Sequence, residues 1–166
     1  MLPYPLHPAI VHFPVVLAFL LPISAAIAIW TIRKGARVNR AWMVAVAIAA
    51  TLSLSSWVSV ETGENQDDKV EQVIQEGALD THEEAAEAFL TGSIVLLVIA
   101  AGGLIRGRIG STMRIVAAAG SVALLAGGAY VGHTGGQLVY KYGAASAYAT
   151  PSPANPNVAA RGDHDD

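Results

Sequence analysis

Histidine and carboxylate side chains occur in this chain in four short motifs that share one placement. HPAIVHFP puts His7 and His12 at the start of an apolar run, and ETGE puts Glu61 and Glu64 at the end of the next. HEEAAE opens a third run with His82, Glu83, Glu84 and Glu87, and GHTGGQLVYKYG closes a fourth with His133, Gln137 and Tyr140. Neutral imidazoles ligate transition metals and haem iron, and carboxylates complete mixed ion sites or act as bases. If the four runs alternate in direction, all of these groups arrive at one end of a bundle.

Spacing sorts the candidates. His7 and His12 are five residues apart, roughly 140° around a regular helix, so they should not aim at one ligand together. His12 lies deeper and is the expected ligand of the two. Glu61 and Glu64, three apart, share a face. Glu83 and Glu84 also suit the start of a helix electrostatically. Glu87 sits a turn deeper, where an ionisable group is costly unless paired or facing a cavity. His133, Gln137 and Tyr140 fall at i, i+4 and i+7 on one face, and Tyr130 lies a turn below. The zinc-peptidase pattern HExxH is absent, because Ala86 stands where the second histidine would be.

The chain has no cysteine. Thiolate zinc sites, thiolate-held iron–sulfur clusters and covalent c-type haem are therefore excluded within it. Met43 and Met113 lie near the ends away from the histidines. An ion at the histidine end would draw on His12, Glu61, Glu64, His82, Glu83 and His133. A cofactor there would draw on His12, His82, His133, Gln137 and Tyr140.

The elements that must position these groups follow from composition. The 166 residues are 53% hydrophobic and 14% charged, with a mean hydropathy of +0.46; soluble domains average about 25% charged. Charge is nearly absent from four runs, each long enough for a helix to cross about 30 Å of hydrocarbon. The expectation is an all-α integral membrane protein, an up-and-down four-helix bundle over residues 1–145. Its spans should cover about 8–32, 41–60, 85–105 and 113–132, with the first retained as a helix. It leaves no room for a separate soluble enzyme domain.

Loops set the orientation. RKGARVNR (33–40) and RGRIGSTMR (106–114) carry four and three positive charges, whereas residues 61–84 are acidic with a single lysine. The positive-inside rule then puts the basic turns in the cytoplasm of a bacterial inner membrane. Both termini and the His/Glu end face the periplasm. In the acidic loop, Val70, Val73, Ile74 and Leu79 approximate a stripe, and a short amphipathic helix or a solvated linker would account for it equally. Residues 146–166, rich in Ala, Pro, Asn and Asp, read as a disordered tail, and His164 within it is left out of the site. The glycines of the third and fourth spans, Gly128, Gly132 and Gly136 among them, suit close helix packing, homo-oligomer contacts or a groove for a flat cofactor. The lipid bilayer is the expected surrounding, and no nucleic-acid partner is expected.

The paired motifs HPAIVHFP and GHTGGQLVYKYG, with TGE and HEEAAE between them, resemble the bacterial transmembrane domain-of-unknown-function family 2231 over roughly residues 3–145. That resemblance implies a small four-span inner-membrane protein, and motif histidines at His7, His12, His82 and His133. It further implies an electron-transfer setting, by association with cytochrome c-like or Rieske-like modules.

Three functions compete on these residues. The first is a redox protein holding haem b near the periplasmic face between two imidazoles. In a simple bundle the first and third helices are diagonal, so His12 and His82 are the expected axial pair, with His133 as substitute or as partner to a propionate or quinone. The second is a mixed His/carboxylate site for Zn, Fe, Mn or Cu, serving metal handling or metal-assisted hydrolysis. The third is a structural accessory subunit whose polar cluster serves assembly. Whether the protein is an enzyme is left open.

Overall fold

The structure is a computed structural model that describes residues 6–74 and 76–148. The first span is a short helix α1 (His7–Ile10) followed by α2 (His12–Arg33). Then come α3 (Val38–Glu64), the single turn α4 (Asp67–Val70), α5 (Glu76–Gly102) and α6 (Gly107–Tyr140). A 3₁₀ helix, Ala144–Tyr148, closes the described chain. No strand occurs among the described residues. The expected fold class stands: four helices, His7–Arg33, Val38–Glu64, Gly77–Gly102 and Gly107–Tyr140, are long and apolar enough to cross a membrane.

The second, third and fourth spanning helices outrun their apolar runs at the His/Glu end. At about 1.5 Å per residue they measure about 40–50 Å, against about 30 Å of hydrocarbon. The acidic loop shrinks accordingly. Between α3 and α5, Asp67–Val70 is the one helical turn among the described residues. Val70 and Ile74 pack with Leu79, Leu138 and Ala144, while Val73 is exposed. Residues 144–148, expected to lie at or within the tail, dock instead through buried Ala144 and a 2.8 Å hydrogen bond from the Tyr148 hydroxyl to Gln66 Oε1. The remainder of that tail, 149–166, lies outside the described residues.

Most residues facing the bundle axis are small, with Leu21, Trp42, Leu52 and Leu96 as the large buried ones, and many large side chains lie outside. Facing the axis are Ala18, Ala25 and Ala28 of α2, Ala45, Ala49, Ser53 and Ser56 of α3, Ser93 and Ala100 of α5, and Ala117 and Ser121 of α6. Phe13, Val16, Phe19, Ile23, Ile27 and Trp30 point outward. Lipid is as apolar as these side chains, so association rests on close approach rather than apolar burial. The buried serines do not carry unpaired hydroxyls inward. Ser53, Ser56, Ser93 and Ser121 each donate to a carbonyl three or four residues back on their own helix. Glycines extend the same packing between α5 and α6. A Cβ at Gly92 would sit 3.3 Å from Leu124, one at Gly120 2.9 Å from Leu96, and one at Gly128 3.1 Å from Phe89.

Connectivity fixes the ring order. α2 packs on α3 and α6, and α5 also packs on α3 and α6. The first and third spans therefore face each other diagonally. At the basic end, fully buried Trp42 donates from Nε1 to the Ala100 carbonyl at 2.8 Å. Beside it, buried Arg114 donates to the Gly103 carbonyl and so closes the C-terminus of α5. The turn 34–36 is closed by Gly35 at φ 98°, with Ala36 N–H bonded back to the Thr31 carbonyl at 3.0 Å.

Candidate functional site

The prolines of the first motif decide which histidine enters the bundle. Pro8 sits at the start of α1, where a missing N–H is harmless. Pro14 offers no N–H to the Ile10 carbonyl, and the helix breaks at Val11 between α1 and α2. The buried side of the span then runs through Pro14, Ala18, Leu21, Ala25 and Ala28. His7 lies two turns ahead of Pro14 and turns inward, where its Nδ1 lies 2.8 Å from the Ser59 carbonyl of α3. A carbonyl only accepts, so Nδ1 carries the proton and Nε2 keeps its lone pair. His12 is exposed, with Nδ1 3.3 Å from the Ala9 carbonyl of its own span.

His82 comes from the second turn of α5 and reaches α6, with Nδ1 2.9 Å from Thr134 Oγ1. The His7 and His82 ring centroids are 6.2 Å apart with their planes at 84°. Two motif glycines make room for these rings. A Cβ on Gly63 of the TGE segment would lie 3.3 Å from His7 Cε1 and Nδ1, and one on Gly135 of HTGGQ would lie 2.9 Å from His82 Cε1. The structure brings together one histidine from each of two diagonal spans.

The rings border a cavity of about 420 Å³ at this end of the bundle, within the usual range for ligand pockets of about 300–1,000 Å³. Val60, Val70, Leu79, Leu138 and Val139 supply much of its wall, and Ala144, Ala145 and Tyr148 of the 3₁₀ helix border it too. Its polar lining includes Glu64, Gln66, Asp67, Glu83 and Glu87. The Asp67 and Glu83 carboxyls lie close enough to share a hydrogen bond. Two carboxyl groups form such a bond only when one of them holds a proton. Glu83 Oε1 is buried without a hydrogen-bond partner, the one such side-chain atom among the described residues. Burial pushes the Asp67 carboxyl above the ordinary carboxylate range; Glu64 and Glu71 add to this, while the bond to Glu83 and nearby His7 oppose it.

The other sequence candidates stay apart from the ring pair. Glu61 is exposed at the end of α3, and Glu64 and Glu87 are exposed at the cavity's border. His133 is exposed and pairs with Gln137, Nε2 to Nε2 at 3.0 Å, and Tyr140 is 91% exposed at the end of α6. Among the described residues, no three His, Asp or Glu side chains are gathered closely enough to hold a metal ion. His7, Gly63, Asp67, Thr134 and Gly135 are the site residues that sequence reasoning passed over. The small-residue stripe of each helix carried the missing signal, because extending it to the helix end selects His7 over His12 and Thr134 over His133.

Fold and site together define a class: a multi-pass membrane helix bundle with a mainly apolar cavity at one end, bordered by two imidazoles. Within that class, the chain belongs to the family whose model is described as "Predicted membrane protein (DUF2231)", matched over residues 3–147. No curated protein and no solved structure matches the chain.

Proposed function

We propose that the protein is a membrane redox component that holds one haem b between His7 and His82. The supporting observation is the ring pair itself. Two imidazoles on opposite sides of one iron, at about 2.0–2.1 Å per metal–nitrogen bond, set their ring centroids about 6 Å apart. His7 and His82 stand at 6.2 Å, on diagonal spans, with each Nδ1 already engaged elsewhere. Haem supplies four nitrogens of its own, so two protein ligands suffice where no three-residue ion site is gathered. The spacing of the two rings suits such a pair, and bound haem would supply a one-electron couple. The change from the sequence expectation is the partner of His82, His7 in place of His12.

The chain's own residues would do the remaining work. Ser59 and Thr134 hold the rings by Nδ1, Gly63 and Gly135 admit them, and the apolar wall limits water. The Asp67–Glu83 pair keeps a proton beside the site. The basic turns 33–40 and 106–114 favour an orientation with this end facing the periplasm of a bacterial inner membrane. There the acidic face formed by residues 61–87 suits a soluble redox partner with a basic face, of the cytochrome c-like or Rieske-like kind that the family resemblance implies.

The test is haem titration of the detergent-solubilised protein. The expected result is a sharpened, shifted Soret band saturating at one haem per chain, lost in His7→Ala and in His82→Ala and kept in His12→Ala. A wild-type spectrum identical to free haem, or loss confined to His12→Ala, contradicts the assignment.

A further inference from the structure

We infer that Thr134 is the positioning residue that fixes His82 in its Nδ1–H tautomer, so that both rings present a bare Nε2. The inference rests on reading His7 and His82 as the ligand pair and adds what makes His82 competent for it. A hydroxyl has one proton and two acceptor lone pairs. Thr134 Oγ1 lies 3.0 Å from the Val131 carbonyl, one turn back on α6, and donates to it. Its proton is thereby committed. Toward His82, 2.9 Å away, the same oxygen then accepts from Nδ1–H, and the ring also lies by the Val131 carbonyl. Thr134 is 6% exposed, so competition from water is small.

The convergence of two unlike acceptors carries the argument. A main-chain carbonyl of α3 and a side-chain hydroxyl of α6 impose the same tautomer on rings from two other helices. Purely structural histidines could carry the proton on either nitrogen, provided that each hydrogen bond were made. Ligating histidines need Nε2 unprotonated, and an acceptor at Nδ1 both orients the ring and raises its basicity. Gly135, the next residue, leaves the His82 ring the space to reach this oxygen.

The experiment is ¹⁵N NMR of the haem-free, histidine-labelled full chain in detergent at pH 8, followed by haem titration. Wild-type His82 is expected to show a protonated Nδ1 and a bare Nε2. Thr134→Ser should keep that tautomer, and Thr134→Val should lose it and weaken haem binding by about tenfold or more. A protonated Nε2 in wild type, or an unchanged tautomer in Thr134→Val, overturns the inference. The two readings fail separately. Wild-type protein that ignores haem removes the haem reading, while the haem-free spectra still decide the tautomer; should Thr134→Val not fold, the wild-type and Thr134→Ser spectra decide it.

Discussion

His7 and His12 share a motif and differ in everything that matters for ligation. One faces the bundle and donates to Ser59; the other is exposed on its own span. That these two histidines diverge was legible from their spacing. Which of them turns inward was not, because rotation of the span about its axis is set by packing. Two predictions belong at this scale. Ala in place of Gly in a helix gains about 1 kcal/mol by propensity, but overpacking a filled site costs about 1–3 kcal/mol. Gly132→Ala, whose Cβ meets nothing within 4 Å, should match or exceed wild type in thermal unfolding in detergent. Gly135→Ala, which presses on the His82 ring, should fall below it. The second concerns the carboxyl pair. Asp67 binds its proton more tightly folded than unfolded, so its contribution to stability is fully present below the ordinary carboxylate range and fades as pH rises through the raised value. Asp67→Asn gives Glu83 a neutral partner that can accept from its carboxyl or donate to its carboxylate. The variant should melt close to wild type near pH 4 and above it at pH 8, and an advantage shrinking with pH would contradict the shared proton.

At the scale of the helices, length and apolarity made all four spans legible, while their ends were not. Polar residues at 61–64 and 76–84 read as loop because hydropathy falls there, yet they continue α3 and begin α5. Helices continue past the hydrocarbon wherever their faces still find neighbours, as Gly63 does against His7. The faces themselves were readable from small residues rather than from apolar periodicity. Trp42, Ala45, Ala49, Leu52, Ser56 and Ser59 trace the buried stripe of α3, and Gly110, Arg114, Ala117, Ser121, Thr134 and Leu138 lie along that of α6. Trp42 joins α3 to the end of α5 through its bond to Ala100. The Ala100 carbonyl also accepts Gly103 N–H at 3.0 Å, so losing the indole donor does not orphan it. Trp42→Phe should therefore cost only about 0.5–1.5 kcal/mol of unfolding free energy in detergent. A much larger loss would mean that the indole's shape, not its bond, holds these helices together.

For the whole molecule, basic and acidic charge occupy opposite ends, and the cavity lies at the acidic one. The turns 33–40 and 106–114 are basic without an acidic residue, and residues 61–87 hold the carboxylates together with the cavity. Because the chain has no cysteine, single substitutions report sidedness cleanly. Asp68→Cys should react with a membrane-impermeant maleimide added outside spheroplasts, and Asn39→Cys only after the membrane is opened; the reverse pattern would turn the site to the cytoplasm. The central claim is that one iron sits between two imidazoles from diagonal spans. Electron paramagnetic resonance of the oxidised, haem-loaded protein measures that coordination directly. The account predicts a low-spin ferric signal with two nitrogen axial ligands, converted to high spin when either His7 or His82 is replaced by Ala. A high-spin signal in wild type, or a low-spin one surviving both single replacements, would contradict it.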